Sequence, residues 1–182
     1  MRKQFILSVI LFAVGGFLTQ ANAQSSSISA KSTAEIVDPI SVVDNSGVAG
    51  GTTLNFGKIS ISPTSGGTCI ISTQNVRTVT GGVSEIGGSA TSTASFGIVG
   101  KLGATYVITL PVGSVNLTRE GGAEIMTVSN FLASPMSAGA DQLTGTLIGG
   151  TDSFTVGATL NVNAAQPEGV YTGTFNVTVA YN

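Results

Sequence analysis

The chain has 182 residues, carries 7 Lys and Arg against 9 Asp and Glu, and contains neither histidine nor tryptophan. That length suits one domain with a real core, and a formal net charge of −2 with no basic patch argues against nucleic acid as a partner. Without histidine no Ser-His-Asp or Cys-His centre can be built, and the commonest metal ligand and general base is missing.

The first residues read as a secretory signal. Arg2 and Lys3 precede a nearly unbroken apolar run over residues 5–17, and Ala21-Asn22-Ala23 fits small-x-small cleavage. The run is too short for a stable membrane span. Cleavage after Ala23 leaves 159 residues with 5 basic and 9 acidic groups, and no cysteine follows the site to take a lipid. The protein is therefore expected to be exported, to the periplasm, the cell surface or the medium.

Residues 24–43 are expected to form an extended N-terminal strand, and residues 44–182 the domain proper. Ile28, Ala30, Ala34 and Ile36 fall on one face of that strand, with Ser32 interrupting. Ser29, Lys31, Thr33 and Glu35 fall on the other. Pro39 ends the run, and residues 40–43 resume it in another register.

A loop at residues 47–51 leads to a strand over 54–59 and a turn over 63–67. Strands over 68–73 and 76–80 follow, punctuated by Gly81-Gly82 and Gly87-Gly88. Ala94, Phe96 and Ile98 alternate on the next strand, then Tyr106, Ile108 and Leu110 on another that Pro111 closes. Residues 115–118 and 125–131 predict strands about a turn at Gly121-Gly122. Residues 132–150 read as a long loop with one short strand at 143–148. Phe154, Val156, Ala158, Leu160 and Val162 then alternate with polar residues. After a turn at Pro167-Glu168-Gly169 comes the last strand, with Tyr171, Gly173, Phe175, Val177, Val179 and Tyr181 on one face and mostly hydroxyls on the other. Short strands rich in β-branched residues and glycine turns predict an all-β, Greek-key sandwich.

Little chemistry is on offer. Cys69 is the single cysteine, so no disulfide forms within the chain; it reads as a small buried hydrophobe, the alternative being an intermolecular bridge or a reactive thiol. Glu120 and Glu124 read as solvating the Gly121-Gly122 turn rather than as a glycosidase pair. Asp141 and Asp152 read as loop charges. No Asp-x-Asp-x-Asp calcium loop and no Gly-Lys-Ser or Gly-Lys-Thr phosphate loop is present. No cofactor and no metal site is expected.

Two places carry a family likeness: Leu54-Asn55-Phe56-Gly57-Lys58-Ile59, and the ending from Gly169 through Tyr171-Thr172-Gly173-Thr174-Phe175 to Tyr181-Asn182. With the alternating segment before Pro39, they resemble the bacterial exported domain-of-unknown-function 4402 type. The same elements are more distantly similar to spore coat protein U and archaic chaperone–usher pilin domains. Those are immunoglobulin-like sandwiches that lack a strand and are completed by an N-terminal extension from the next subunit. Many carry a disulfide, which this chain cannot form internally.

The likeness implies an immunoglobulin-like sandwich and a non-enzymatic exported structural or adhesive subunit, fimbria-like and assembled by β-strand donation. Ile28, Ala30, Ala34 and Ile36 would then be the donor-strand contacts, with identical or related subunits and a periplasmic chaperone and usher as partners. In the alternative, the N-terminal strand completes its own sandwich and the protein is a monomeric secreted binding module for a glycan or surface ligand. An outer-membrane barrel fits the alternation but lacks an aromatic girdle and a terminal Phe.

Overall fold

The computed structural model describes residues 26–45 and 51–182, so the expected export signal at residues 1–23 lies outside the described residues. The chain divides into a unit ending at Glu35 and a unit spanning Ile36–Asn182. In the first unit, residues 26–35 are exposed and belong to no strand, and the same holds for residues 36–39 at the start of the second. The strand expected before Pro39 therefore has no ladder. A single extended segment gains nothing from its backbone until another strand lies alongside it.

The second unit is all-β. Its strands are β1 (Ser41–Asp44), β2 (Ile59–Ile61), β3 (Gly67–Ile71), β4 (Arg77–Gly81), β5 (Val83–Glu85), β6 (Ala94–Val99), β7 (Thr105–Thr109), β8 (Val115–Arg119), β9 (Ile125–Pro135), β10 (Thr144–Thr146), β11 (Thr151–Val162), β12 (Tyr171–Thr172) and β13 (Thr178–Tyr181). They form three antiparallel sheets. The large sheet runs β1-β6-β11-β9-β8-β12, with β3 also along β11 and β4 outside β3; the smaller ones are β10-β7-β13 and β2-β5. β6 returns to lie beside β11 rather than β8, a Greek-key style of winding. The expected sandwich is what forms.

β11 is the spine. Phe154, Val156, Ala158, Leu160 and Val162 are all buried, as their alternation predicts. Its first half pairs with β6 and its second half with β3, while β9 runs along the other edge. Gly157 sits where one partner gives way to the other. A Cβ there would run into the carbonyl oxygen of Ile71 and come within 2.8 Å of the Thr73 nitrogen, so only glycine fits.

Opposite that point the β9–β11 register slips between Gly157 and Thr159. Asn130 on β9 takes the left-handed conformation, φ 52°, which makes a bulge. The bulge flips which residues face inward: Met126 and Val128 before it, Ala133 and Pro135 after it. Here β9 departs from expectation, because it continues to Pro135 through residues read as loop.

The bulge also separates two cores. One contains Tyr106, Ile108, Ala133, Leu147, Phe154, Val156 and Val179, closed by the β10-β7-β13 sheet. The other contains Phe56, Cys69, Ile71, Val83, Met126, Val128, Leu160 and Val162, covered by β2-β5. Burying each large side chain stabilises the fold by roughly 1.5–3 kcal/mol. The two cores are lined by apolar side chains, while Thr80 and Thr118 face solvent.

The strand expected over residues 54–59 is instead a turn feeding β2. Asn55 bridges to Ser92, and its Oδ1 accepts from the Gly57 nitrogen at 2.9 Å. Arg77 on β4 fills the turn: its guanidinium donates to the carbonyl of Phe56 at 3.3 Å and to Ser89 Oγ at 3.0 Å, and pairs with Glu85 at 3.0 Å. Gly57, at φ 73°, would put a Cβ 2.6 Å from that guanidinium. The Phe-Gly element is thus the seat of a largely buried arginine.

Candidate assembly site

The last expected strand does not form in one piece. Tyr171 and Thr172 pair with Arg119 and Thr118 of β8, whereas Thr178 to Tyr181 pair with β7 in another sheet. The register that sets Thr178 opposite Thr109 would set Asn176 opposite Pro111, which has no N–H to give. β7 ends there. Residues 173–177 consequently join no strand, and none of the described backbone hydrogen bonds involves them.

The side chains of this run nevertheless keep the expected alternation. Phe175 is half-buried and lies against Phe131, ring centroids 5.0 Å apart, and Val177 packs on the Tyr106 core. Val179 is buried. Phe131 also lines an open cavity of about 250 Å³ with Leu132, Ala133 and Leu143. β13 itself has β7 on one side and is the outer strand of its sheet. Over residues 173–177 the molecule therefore sets half-buried Phe175 and Val177 on backbone that joins no ladder.

Tyr181 lies past one end of that run. Its hydroxyl accepts from the Lys101 nitrogen at 2.7 Å and donates to the Asp38 carbonyl at 2.8 Å. Tyr171, near the other end, donates to the Pro167 carbonyl at 2.8 Å, four residues upstream. Immunoglobulin-type sandwiches use the same local device in their tyrosine corner. Of the four residues read as donor contacts, Ile28 is 95% and Ile36 98% exposed, and Ala30 and Ala34 are exposed too.

The other singled-out residues serve the fold. Cys69 is buried on β3, as expected, and burial pushes its thiol up despite the opposing charge of Arg77. Glu124 is held below the usual carboxylate range by backbone N–H donation, its own first, and by Arg119, its ion-pair partner at 3.3 Å. Asp141 accepts from Thr73 Oγ1 at 2.6 Å. Asp152, read as a loop charge, is instead part of β11. It accepts from the hydroxyl of fully buried Tyr106 at 2.7 Å, from Ser137 Oγ, and from the nitrogens of Ser137 and Ser153. Burial first, then this carboxylate, push the Tyr106 phenol well above its ordinary value. No sequence pattern links these three residues; only the packing of β7 against β11 does.

Among the described residues no three of Cys, Asp and Glu gather to hold a metal, and no helix is long and apolar enough to cross a membrane. Neither a curated protein nor a solved structure matches the chain. A family model does match, over residues 47–181, from just before the Phe-Gly turn to the end of β13. The chain belongs to the family described as Domain of unknown function (DUF4402).

Proposed function

We propose that this protein is an exported, non-enzymatic structural or adhesive subunit that assembles by β-strand donation, with residues 28–36 as the donated strand. The observation that carries this reading is the run from Gly173 to Val177, which joins no strand and makes none of the described backbone hydrogen bonds, with half-buried Phe175 and Val177 along it. Edge strands in stable monomers are normally covered, charged or bulged away. Residues 173–181 include no charged side chain and no proline to blunt such an edge. A strand added there would gain main-chain hydrogen bonds, and alternate apolar residues would pack beside Phe175 and Val177. Ile28, Ala30, Ala34 and Ile36 have that spacing.

The distant pilin likeness supports the same reading, with related subunits and a chaperone and usher as partners. The absence of histidine and the engagement of Asp141, Asp152 and Glu124 by Thr73, Tyr106 and Arg119 support a protein that does no catalysis.

Size-exclusion chromatography and SDS-resistant polymer blots of the mature protein test it. Ala34→Asp puts an unpaired carboxylate into the acceptor site and is expected to abolish polymers, whereas Thr33→Asp on the opposite face leaves them intact. A wild type that never polymerises, together with a stable monomer after deletion of residues 25–38, would leave a self-contained secreted binding module.

A further inference from the structure

We infer that the cavity beside Phe131 receives an arginine side chain of a partner protein, with its guanidinium on Asp141 and its stem along Leu132 and Leu143. The cavity holds about 250 Å³ and is lined by Phe131, Leu132, Ala133, Asp141, Gln142 and Leu143. Pockets for free small ligands usually run from about 300 to 1,000 Å³. An opening of this size suits one long side chain better. Its lining residues belong neither to the segment 28–36 nor to residues 173–177, so the inference stands apart from strand donation.

Charge and shape choose the occupant. Leu132 and Leu143 are 50% and 45% exposed, and together with the Phe131 ring they give the opening apolar walls. Its one charged group is Asp141, which takes part in neither described ion pair; the arginines of the sandwich are engaged by Glu85 and Glu124. The described partner of Asp141 is the Thr73 hydroxyl, on Oδ1 at 2.6 Å. A carboxylate has acceptor sites for about four such bonds, so Oδ2 is left for a donor from outside. Arginine matches on three counts. Its planar fork pairs bidentately with a carboxylate, its guanidinium stacks on an aromatic face, and its methylenes cover apolar surface. The net charge of −2 adds a long-range attraction for a basic partner.

The site is also built in advance. Thr73 is 4% exposed, and its carbonyl accepts from Thr155 Oγ1 at 2.9 Å, which ties Asp141 to β11. The Gln142 nitrogen donates to the Ala133 carbonyl at 2.9 Å, and its Nε2 donates to the Thr144 carbonyl at 2.9 Å. The Leu143 carbonyl accepts from the Ile108 nitrogen at 2.7 Å. Residues 141–143 are thus pinned between β9 and β7, and little freedom is left to lose on binding.

Saturation-transfer NMR titrations of the mature protein test this, and they work on monomer and polymer alike. The probes are blocked Gly/Ser pentapeptides whose central residue is arginine, lysine or citrulline. Citrulline keeps the shape of arginine and removes its charge. The arginine peptide is expected to bind, the lysine peptide less tightly, and the citrulline peptide about tenfold more weakly than arginine. Asp141→Asn keeps an acceptor for Thr73 and is expected to weaken arginine binding about tenfold while leaving citrulline binding unchanged. Leu132→Ser does not touch the Asp141–Thr73 bond and is expected to weaken arginine binding about fivefold, so the site stays testable should Asp141→Asn fail to fold. Equal binding of the arginine and citrulline peptides, or of the arginine and lysine peptides, overturns the assignment. So does arginine binding that neither variant weakens, which marks diffuse attraction to an acidic protein. If no peptide binds, the arginine site fails and strand donation is untouched.

Discussion

The two halves of the sandwich are built on the same two long strands, β9 and β11, and are finished in different ways. The half around Cys69 closes itself. β2, β5 and the turn at Phe56 and Gly57 cover its core, and Arg77 ties that cover to the sheet through two carbonyls, a serine and Glu85. The half around Tyr106 is tied just as firmly at its centre, by Tyr106 and Ser137 on Asp152. Its flank lacks a continuous ladder, because β7 stops before Pro111 and residues 173–177 join no strand. A polar clamp completes one half, and a donated strand is proposed to complete the other.

The sharpest way to break this comparison is to truncate two phenylalanines of the open half. Phe154 is fully buried and stacked on Phe96 at 5.1 Å, so Phe154→Ala is expected to cost roughly 3–5 kcal/mol in chemical denaturation. Phe175 is only half-buried, so Phe175→Ala is expected to cost the monomer about 1–2 kcal/mol while abolishing polymers. Equal losses of monomer stability would mean that Phe175 is part of a closed core.

Arg77→Ala probes the closed half. It removes the guanidinium donor from the Phe56 carbonyl and the turn around Gly57 and is expected to lower stability by about 2–3 kcal/mol. Glu85→Gln, at the half-exposed end of the same pair, should change it by less than about 1 kcal/mol. If the glutamine variant loses as much as the alanine variant, the ion pair rather than the carbonyl contacts holds the cover in place.

The smallest effect at neutral pH concerns Tyr106. Its phenol is raised in the folded state, so the folded protein keeps a proton that the unfolded chain releases above about pH 10. Its contribution is complete below that pH and is lost as pH rises. Tyr106→Phe should flatten the alkaline fall in denaturation midpoint; an unchanged slope would assign the fall to other groups.

Much of this was legible beforehand, and the failures have a common cause. The inward faces of β6, β7, β11 and the whole run from Tyr171 to Tyr181 follow from alternation, which is a property of one strand. The breaks do not. Nothing in residues 171–181 announces a change of sheet, because the cause is Pro111, sixty or more residues earlier. The Leu132-Ala133-Ser134-Pro135 stretch looks like loop and is strand, because β11 lies beside it and Asn130 has already flipped its face. Asp152 looks like a surface charge and is the acceptor for a buried phenol, because β7 brings Tyr106 to it. At the candidate site, Phe175, Val177 and the segment from Ile28 to Ile36 could be read from their spacing. The open backbone beside Phe175 could not.

The sequence by itself determined that this is an all-β protein, which side chains point inward, and that Cys69 packs as a buried apolar group. Those are period-two and transfer-energy properties that each residue carries with it. Only the tertiary structure decided where each ladder ends, which core each half of β9 serves, and that residues 173–177 join no strand. A backbone hydrogen bond needs a partner strand within about 5 Å, and which strand arrives there is settled by bulges, prolines and packing far away in the chain.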